Sequence, residues 1–230
     1  MSAFKASTAA APKIGLRTCW LLPILVTALI SACAPTRPNP DQSNWLVTPE
    51  RTAPPHATPI NMHLKMGSFS ANAPYDGKSL VYRMSDNKYE KDFYNVYLVY
   101  PRDMVATATQ KWLTQSNVFT LVIEQPTTFF PMYQLQGVVD EFYGDYRDQP
   151  TAVVTVQFYA SASFNGKNSM FSTPRITKRV PLADKSTQAL INGQQQALSD
   201  VLTELERRLV TDAAKAPPEY LSVTGRHVVH

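Results

Sequence analysis

The sequence predicts an α+β fold: a single domain in which a largely antiparallel sheet carries two amphipathic helices packed on one face. Residues 152–164 alternate apolar and polar side chains over thirteen positions, the pattern of a long strand with one buried face. Residues 101–115 and 186–210 instead show apolar side chains at helical spacing. Shorter alternating segments lie between them. Two helices on one face of a sheet bury all these apolar faces at once.

The first half of the domain begins with residues 60–66, in which apolar and polar side chains alternate as in a half-buried strand. Residues 79–85 and 94–100 are predicted as the next two strands. Pro101 is a typical first helical residue, and the helix should run to about residue 115. Residues 118–124 return to a strand pattern.

The second half is predicted to be a three-strand meander followed by the longer helix. Residues 133–146 are strand-like, residues 152–164 follow after a short turn, and residues 165–168 carry a hairpin signal that leads into residues 169–180. The helix of residues 186–210 closes the domain with a continuous apolar face: Leu190, Ala197, Leu198, Val201, Leu202, Leu205 and Leu209.

The N-terminal residues 1–32 have the composition of a bacterial export signal. Lys5, Lys13 and Arg17 precede an apolar segment too short to span a bilayer comfortably, and no acidic residue accompanies them. Residues 30–33, Ile-Ser-Ala-Cys, resemble the lipobox of bacterial lipoproteins. This resemblance implies that Cys33 receives an S-diacylglycerol group, becomes the first mature residue after cleavage, and is then N-acylated.

Such a lipidated cysteine would hold the mature chain on a membrane, because several acyl chains together make release negligible. Ala34, in place of Asp, implies by the enterobacterial sorting rule an outer-membrane anchor with the body facing the periplasm. An ordinary secretory signal with a coincidental cysteine, or a single transmembrane anchor, is the alternative.

The mature chain would be nearly neutral and free of thiols. Loss of the three N-terminal cations reduces the formal net charge from +4 to +1, which argues against a nucleic-acid partner. Of the two cysteines, Cys19 leaves with the signal and Cys33 is acylated. No disulfide is therefore expected, and stability must come from packing.

Both ends of the mature chain are predicted to lie outside the domain of residues 60–210. Residues 33–59 contain the lipidated N-terminus and a proline-rich tether, which in polyproline II geometry would extend by about 3 Å per residue. Trp45, Leu46 and Val47 interrupt the tether, and docking on the domain or on a partner is as plausible as local collapse of a linker. Residues 211–230 are predicted to be a flexible tail.

Several short motifs occur in the order seen in the ABC-type transport auxiliary lipoprotein family, which includes the PqiC-like and LetC-like lipoproteins of Mce-type lipid transport systems. The chain resembles this family over about residues 60–210. The motifs are Leu80-Val81-Tyr82-Arg83, then Tyr89 and Tyr94, Pro101-x-x-Met104, Leu135-x-Gly137-x-Val139 and the closing amphipathic helix.

The resemblance implies a small non-catalytic domain and a partnership with a periplasmic Mce-domain protein fed by a permease and an ATPase. We therefore expect an accessory lipoprotein that docks or anchors the Mce assembly. Whether the chain forms a homo-oligomer is left open by the sequence. The alternative is an LptE-like or TolB-like envelope-assembly lipoprotein. A hydrolase is least favoured.

A catalytic or cofactor site has no framework in the sequence. The four histidines form no HExxH motif, and no GxxxxGK phosphate loop occurs. Asp140, Glu141 and Asp145 are acidic neighbours, but strand alternation around them predicts a solvated face. Beyond the lipid on Cys33 we expect no metal and no cofactor.

Aromatic residues provide the candidate partner surface. One group is expected to be mostly buried under the helices: Tyr89, Phe93, Tyr94, Tyr97 and Tyr100. A second group lies in a predicted loop, where partner contact is as plausible as burial, and forms the partner-binding hypothesis: Phe129, Phe130, Met132 and Tyr133.

Overall fold

The computed structural model describes residues 41–124, 133–164 and 167–213, and all statements on the fold concern these residues. They form nine strands and two helices. In chain order the elements are β1 (Ser43–Trp45), β2 (Ile60–Ala71), β3 (Ser79–Arg83), β4 (Tyr89–Tyr97), α1 (Pro101–Ser116), β5 (Phe119–Ile123), β6 (Tyr133–Asp145), β7 (Thr151–Phe164), β8 (Lys167–Ser172), β9 (Arg175–Pro181) and α2 (Thr187–Ala213).

The antiparallel pair β6–β7 forms the centre of the sheet. Tyr133 lies opposite Ala162 at one end and Asp145 opposite Thr151 at the other, with one bulge between Val139 and Glu141. The outer edge of β7 is covered by β9 along its first half and by β8 along its second, both antiparallel. Antiparallel pairing thus takes most of the paired length, as predicted.

The other edge of β6 is shared by two parallel neighbours, which the sequence pattern did not indicate. β2 pairs with the first half of β6 and β3 with its last two residues. β5 extends the sheet beyond β2, again in parallel. β4 runs antiparallel to β3, and β1 adds a short parallel strand at the outer edge of β4.

Both helices pack on one face of the sheet and touch each other, which confirms the α+β prediction. α1 lies over β2, β5 and β6, whereas α2 lies over β7, β8 and β9. The fully buried apolar positions of α2 are those of its predicted stripe, including Leu198 and Leu202. α1 begins with Pro101 and ends before Asn117, whose φ of 56° is the left-handed conformation that often terminates a helix.

Three predicted elements differ from the structure. The strand predicted over residues 60–66 is β2, which continues to Ala71. The predicted strand of residues 169–180 is divided into β8 and β9, because Pro174 has no N–H to donate to the ladder. Its carbonyl instead accepts a hydrogen bond from the backbone N–H of Phe158 at 3.0 Å. The predicted strand of residues 94–100 is β4, which starts five residues earlier and ends at Tyr97.

Candidate functional site

The β4 strand carries an outward bulge that exposes two aromatic side chains. Val81 of β3 pairs with Lys91, but the next pair is Ser79 with Val96, so four residues of β4 oppose a single residue of β3. We call residues 92–95 the aromatic bulge. Such insertions re-aim side chains and leave the ladder locally unpaired. Phe93 and Tyr94 at its tip are each 60% exposed, and their rings meet edge to face at 5.4 Å.

Asp92 holds the aromatic bulge in shape. One carboxylate oxygen accepts hydrogen bonds from the backbone N–H groups of Tyr94 at 2.8 Å and Asn95 at 2.9 Å. The other oxygen accepts a hydrogen bond from the Tyr82 hydroxyl at 2.7 Å. Burial alone would raise the pKa of Asp92, but the hydrogen bonds, led by that of Tyr82, outweigh it and lower this pKa. Burial and the bond to Asp92 correspondingly raise the pKa of Tyr82. The carboxylate therefore stays ionised and the turn stays fixed.

The expectation that most aromatics of this segment are buried is wrong. Only Tyr97 of the five is fully buried, packed edge to face on Phe142. The sequence did contain a signal for exposure: Asp92 and Asn95 flank the aromatic pair, and both residue types favour turns over strands.

Just past the C-terminal end of β4, an apolar groove opens between the N-terminal segment and α1. We call it the α1 groove. It has a volume of about 320 Å³. Its lining consists of Leu46, Val47, Thr48, Pro49, Val99, Asp103, Met104, Thr107, Ala108 and Lys111. Leu98 and Tyr100 add exposed apolar surface beside it, and Lys78 and Arg102 place their cations against the Tyr100 ring.

The N-terminal segment, predicted as part of a tether, is packed on the domain from β1 onward. Trp45 donates its indole N–H to the Asn95 side chain at 3.0 Å, and its carbonyl accepts the backbone N–H of Leu98 at 2.8 Å. Val47 is buried in the core beneath it. Of the two possibilities for residues 45–47, the structure shows docking on the domain.

A single carboxylate fastens the rest of this segment to α2. Glu206 accepts two hydrogen bonds from Arg51, at 2.9 and 3.0 Å, and one from the Trp112 indole at 2.8 Å. A His56 ring nitrogen lies 2.8 Å from the same carboxylate. Burial would raise the pKa of Glu206, but these bonds, that of Arg51 first, lower it. The Arg51 side chain is only 3% exposed, so this is a nearly buried ion pair.

Most residues of the partner-binding hypothesis lie outside the described residues. These are Phe129, Phe130 and Met132, and Cys33 lies outside them as well. Tyr133 is described and does not fit a partner surface. It is fully buried at the start of β6, with its ring 5.5 Å from that of Phe171, so it is a core residue.

The three neighbouring carboxylates of β6 do not form a common site. Asp140 pairs with Arg175 at 2.8 Å, and Glu141 accepts the hydroxyl of Thr155. Asp145 is buried between two guanidinium groups, contrary to the solvated face that alternation predicts. Within residues 41–124, 133–164 and 167–213, no group of three His, Cys, Asp or Glu side chains is arranged to hold a metal ion.

The described residues thus form an α+β domain with exposed apolar edges and carboxylates that are paired separately. The sequence model of a family described as the ABC-type transport auxiliary lipoprotein component matches residues 46–206. The chain belongs to this family. A comparison with curated proteins gives no match. No helix in the described part of the chain is both long and apolar enough to cross a bilayer.

Two solved structures share the fold. One is a Xanthomonas campestris protein of the DUF330 family, 19% identical, with a TM-score of 0.60, covering 76% of this chain and 96% of its own. The other is described only as an uncharacterized protein, 14% identical, with a TM-score of 0.59, covering 74% of this chain and 99% of its own. At these identities the likeness extends to the fold alone.

Proposed function

We propose that this auxiliary lipoprotein is a non-catalytic, outer-membrane-anchored component of an Mce-type lipid transport system, and that it docks the periplasmic Mce assembly through the α1 groove. The observation that carries this proposal is the groove itself, an apolar recess at an exposed edge of a domain that matches the family over residues 46–206. Docking needs no nucleotide, since hydrolysis belongs to the ATPase subunit.

The chemistry around the groove indicates the kind of partner segment it accepts. Its floor and walls are mostly apolar, which suits an inserted aliphatic or aromatic anchor. Lys111 lines the groove, Lys78 and Arg102 lie against the Tyr100 ring beside it, and the acidic Asp103 of its lining pairs with Arg102 at 3.4 Å. A partner segment with an apolar side chain flanked by carboxylates would match both features.

The test is copurification of the full chain from detergent-solubilised membranes, with partners identified by mass spectrometry. Leu46→Asp places a charge in the groove at a residue that is 44% exposed, so the fold should survive. Leu121→Asp is the matched control, because Leu121 is 48% exposed on β5, at the opposite end of the strand order from β1. The wild type and Leu121→Asp should recover an Mce-domain protein, and Leu46→Asp should lose most of it.

A thermal melt separates a lost interface from a lost fold. A Leu46→Asp chain that melts like the wild type and recovers its partner normally would rule out the groove as the docking site. A wild-type chain that recovers no Mce-domain protein would rule out the proposed function.

A further inference from the structure

We propose that the aromatic bulge is a membrane contact: Phe93 and Tyr94 insert into the headgroup region of the bilayer that holds the lipidated N-terminus. The inference rests on the lipid anchor of the proposed function, and it concerns a surface distinct from the α1 groove. Three observations carry it: the position of the bulge along the chain, its chemistry and its size.

The bulge lies beside the first described residues of the chain. Ser43 of β1 pairs with Asn95, and the Gln42 side-chain amide donates to the Phe93 carbonyl at 2.9 Å. Gln42 follows Cys33 by nine positions, so the chain between their Cα atoms spans at most about 30 Å. The aromatic tip is thus connected to the proposed lipid anchor by a short segment of chain, residues 34–41. From the bulge, β1 runs on to Leu46 and the α1 groove, so the groove is farther along the chain from Cys33 than the bulge is.

The chemistry of the tip suits a lipid interface. Phe93 supplies an apolar ring and Tyr94 a ring with a polar hydroxyl, a combination enriched at membrane surfaces. The Asp92 carboxylate keeps its negative charge, but its oxygens accept hydrogen bonds from Tyr82, Tyr94 and Asn95 within the turn. Lys88 and Glu90 pair at 2.6 Å, while Asp41 and Lys91 add one exposed charge of each sign. Contact should therefore not require anionic lipid.

The size of the tip favours a bilayer over a protein partner. A stable protein interface buries at least about 1,000 Å², far more than two side chains supply. A bilayer contact needs much less, because the anchor already holds the tip at a high effective concentration near the lipid. Burying the exposed part of one such aromatic ring should increase the equilibrium constant for membrane contact about tenfold. Because the turn around Asp92 is already fixed, the tip loses little conformational entropy on contact, which further favours binding.

The test uses the full lipidated chain in phosphatidylcholine vesicles with a fluorescent probe on one engineered cysteine. With Cys19 removed and Cys33 acylated, that cysteine is the reactive thiol. We compare Tyr94→Cys with two controls, Leu98→Cys in the residues that follow β4 and Leu121→Cys on β5. An NBD probe at position 94 should shift its emission to the blue and be quenched by lipids that carry a shallow spin label. The two control probes should show neither change.

A second variant measures the contribution of the neighbouring ring. Adding Phe93→Ser to the Tyr94→Cys chain should weaken the contact about tenfold and reduce the quenched fraction accordingly.

The outcomes separate this inference from the proposed function. A chain that floats with the vesicles while its Tyr94→Cys probe stays unquenched refutes the membrane contact and leaves Mce docking intact. If the probe emission is blue-shifted but no spin-labelled lipid quenches it, then protein, such as a second copy of this chain, covers the tip. This result also refutes the membrane contact. A chain that does not float refutes both the anchor and the contact.

Discussion

Replacing Glu206 by Gln should destabilise the domain and release the N-terminal segment. The Arg51 side chain is 3% exposed and the Glu206 side chain 12% exposed, and two hydrogen bonds join them. Removing one partner of such a pair leaves an uncompensated buried charge, at a cost of about 3–5 kcal/mol. With a urea dependence near 2 kcal/mol per molar, the unfolding midpoint should fall by about 2 M.

The same α2 helix provides a matched control. Glu204 also pairs with two arginines, Arg207 and Arg208, but both partners are at least half exposed. Glu204→Gln should therefore cost at most about 1 kcal/mol.

Tryptic cleavage after Arg51 gives a second measurement, specific to the docked segment. It should be slow in the wild type, since this side chain is buried, and fast in Glu206→Gln. Equal urea midpoints for Glu206→Gln and Glu204→Gln, together with unchanged cleavage after Arg51, would refute the role assigned to Glu206.

Three further predictions concern the core, the anchor and the acid response. Leu198→Asp should lower the free energy of unfolding by several kcal/mol because Leu198 is fully buried, whereas Asp200→Ala on the same helix should change it little; melting temperatures compare them. Cys33→Ser should leave an unlipidated precursor, and equal palmitate incorporation by the variant would contradict this. The hydrogen bonds from Arg147, and then from Arg179, lower the pKa of Asp145 below its unfolded value, so its contribution is complete above about pH 5 and is lost as the pH falls further. Asp145→Asn should flatten that acid dependence in urea titrations.

Local periodicity was sufficient to predict the elements whose burial is one-sided. From Gln157 to Ser163 the side chains of β7 alternate between buried and partly exposed, and α2 shows its stripe because its opposite face meets water. Residues 152–156 of β7 are buried on both faces, so alternation is weaker there. Such patterns are properties of consecutive residues, so a single sequence displays them.

The parallel pairings and the docked N-terminal segment depend instead on contacts between distant residues. β1 has three residues, too few for a detectable period, and its partner β4 lies about fifty positions away. Arg51 and Glu206 are likewise unremarkable separately and become a buried pair only when the fold joins them. The aromatic bulge was misjudged for the same reason, since its exposure depends on how β4 pairs with β3.

The docked segment also determines how far the domain can move from its anchor. A free tether over residues 33–59 would reach about 80 Å in polyproline II geometry. With β1 paired and Glu206 engaged, only the nine residues before Gln42 remain, a reach of about 30 Å. With Cys33 lipidated as proposed, the first described residues of the domain stay within about 30 Å of the membrane that holds it. The proposed Mce partner would then have to span the distance across the periplasm, and it would meet the domain at the α1 groove.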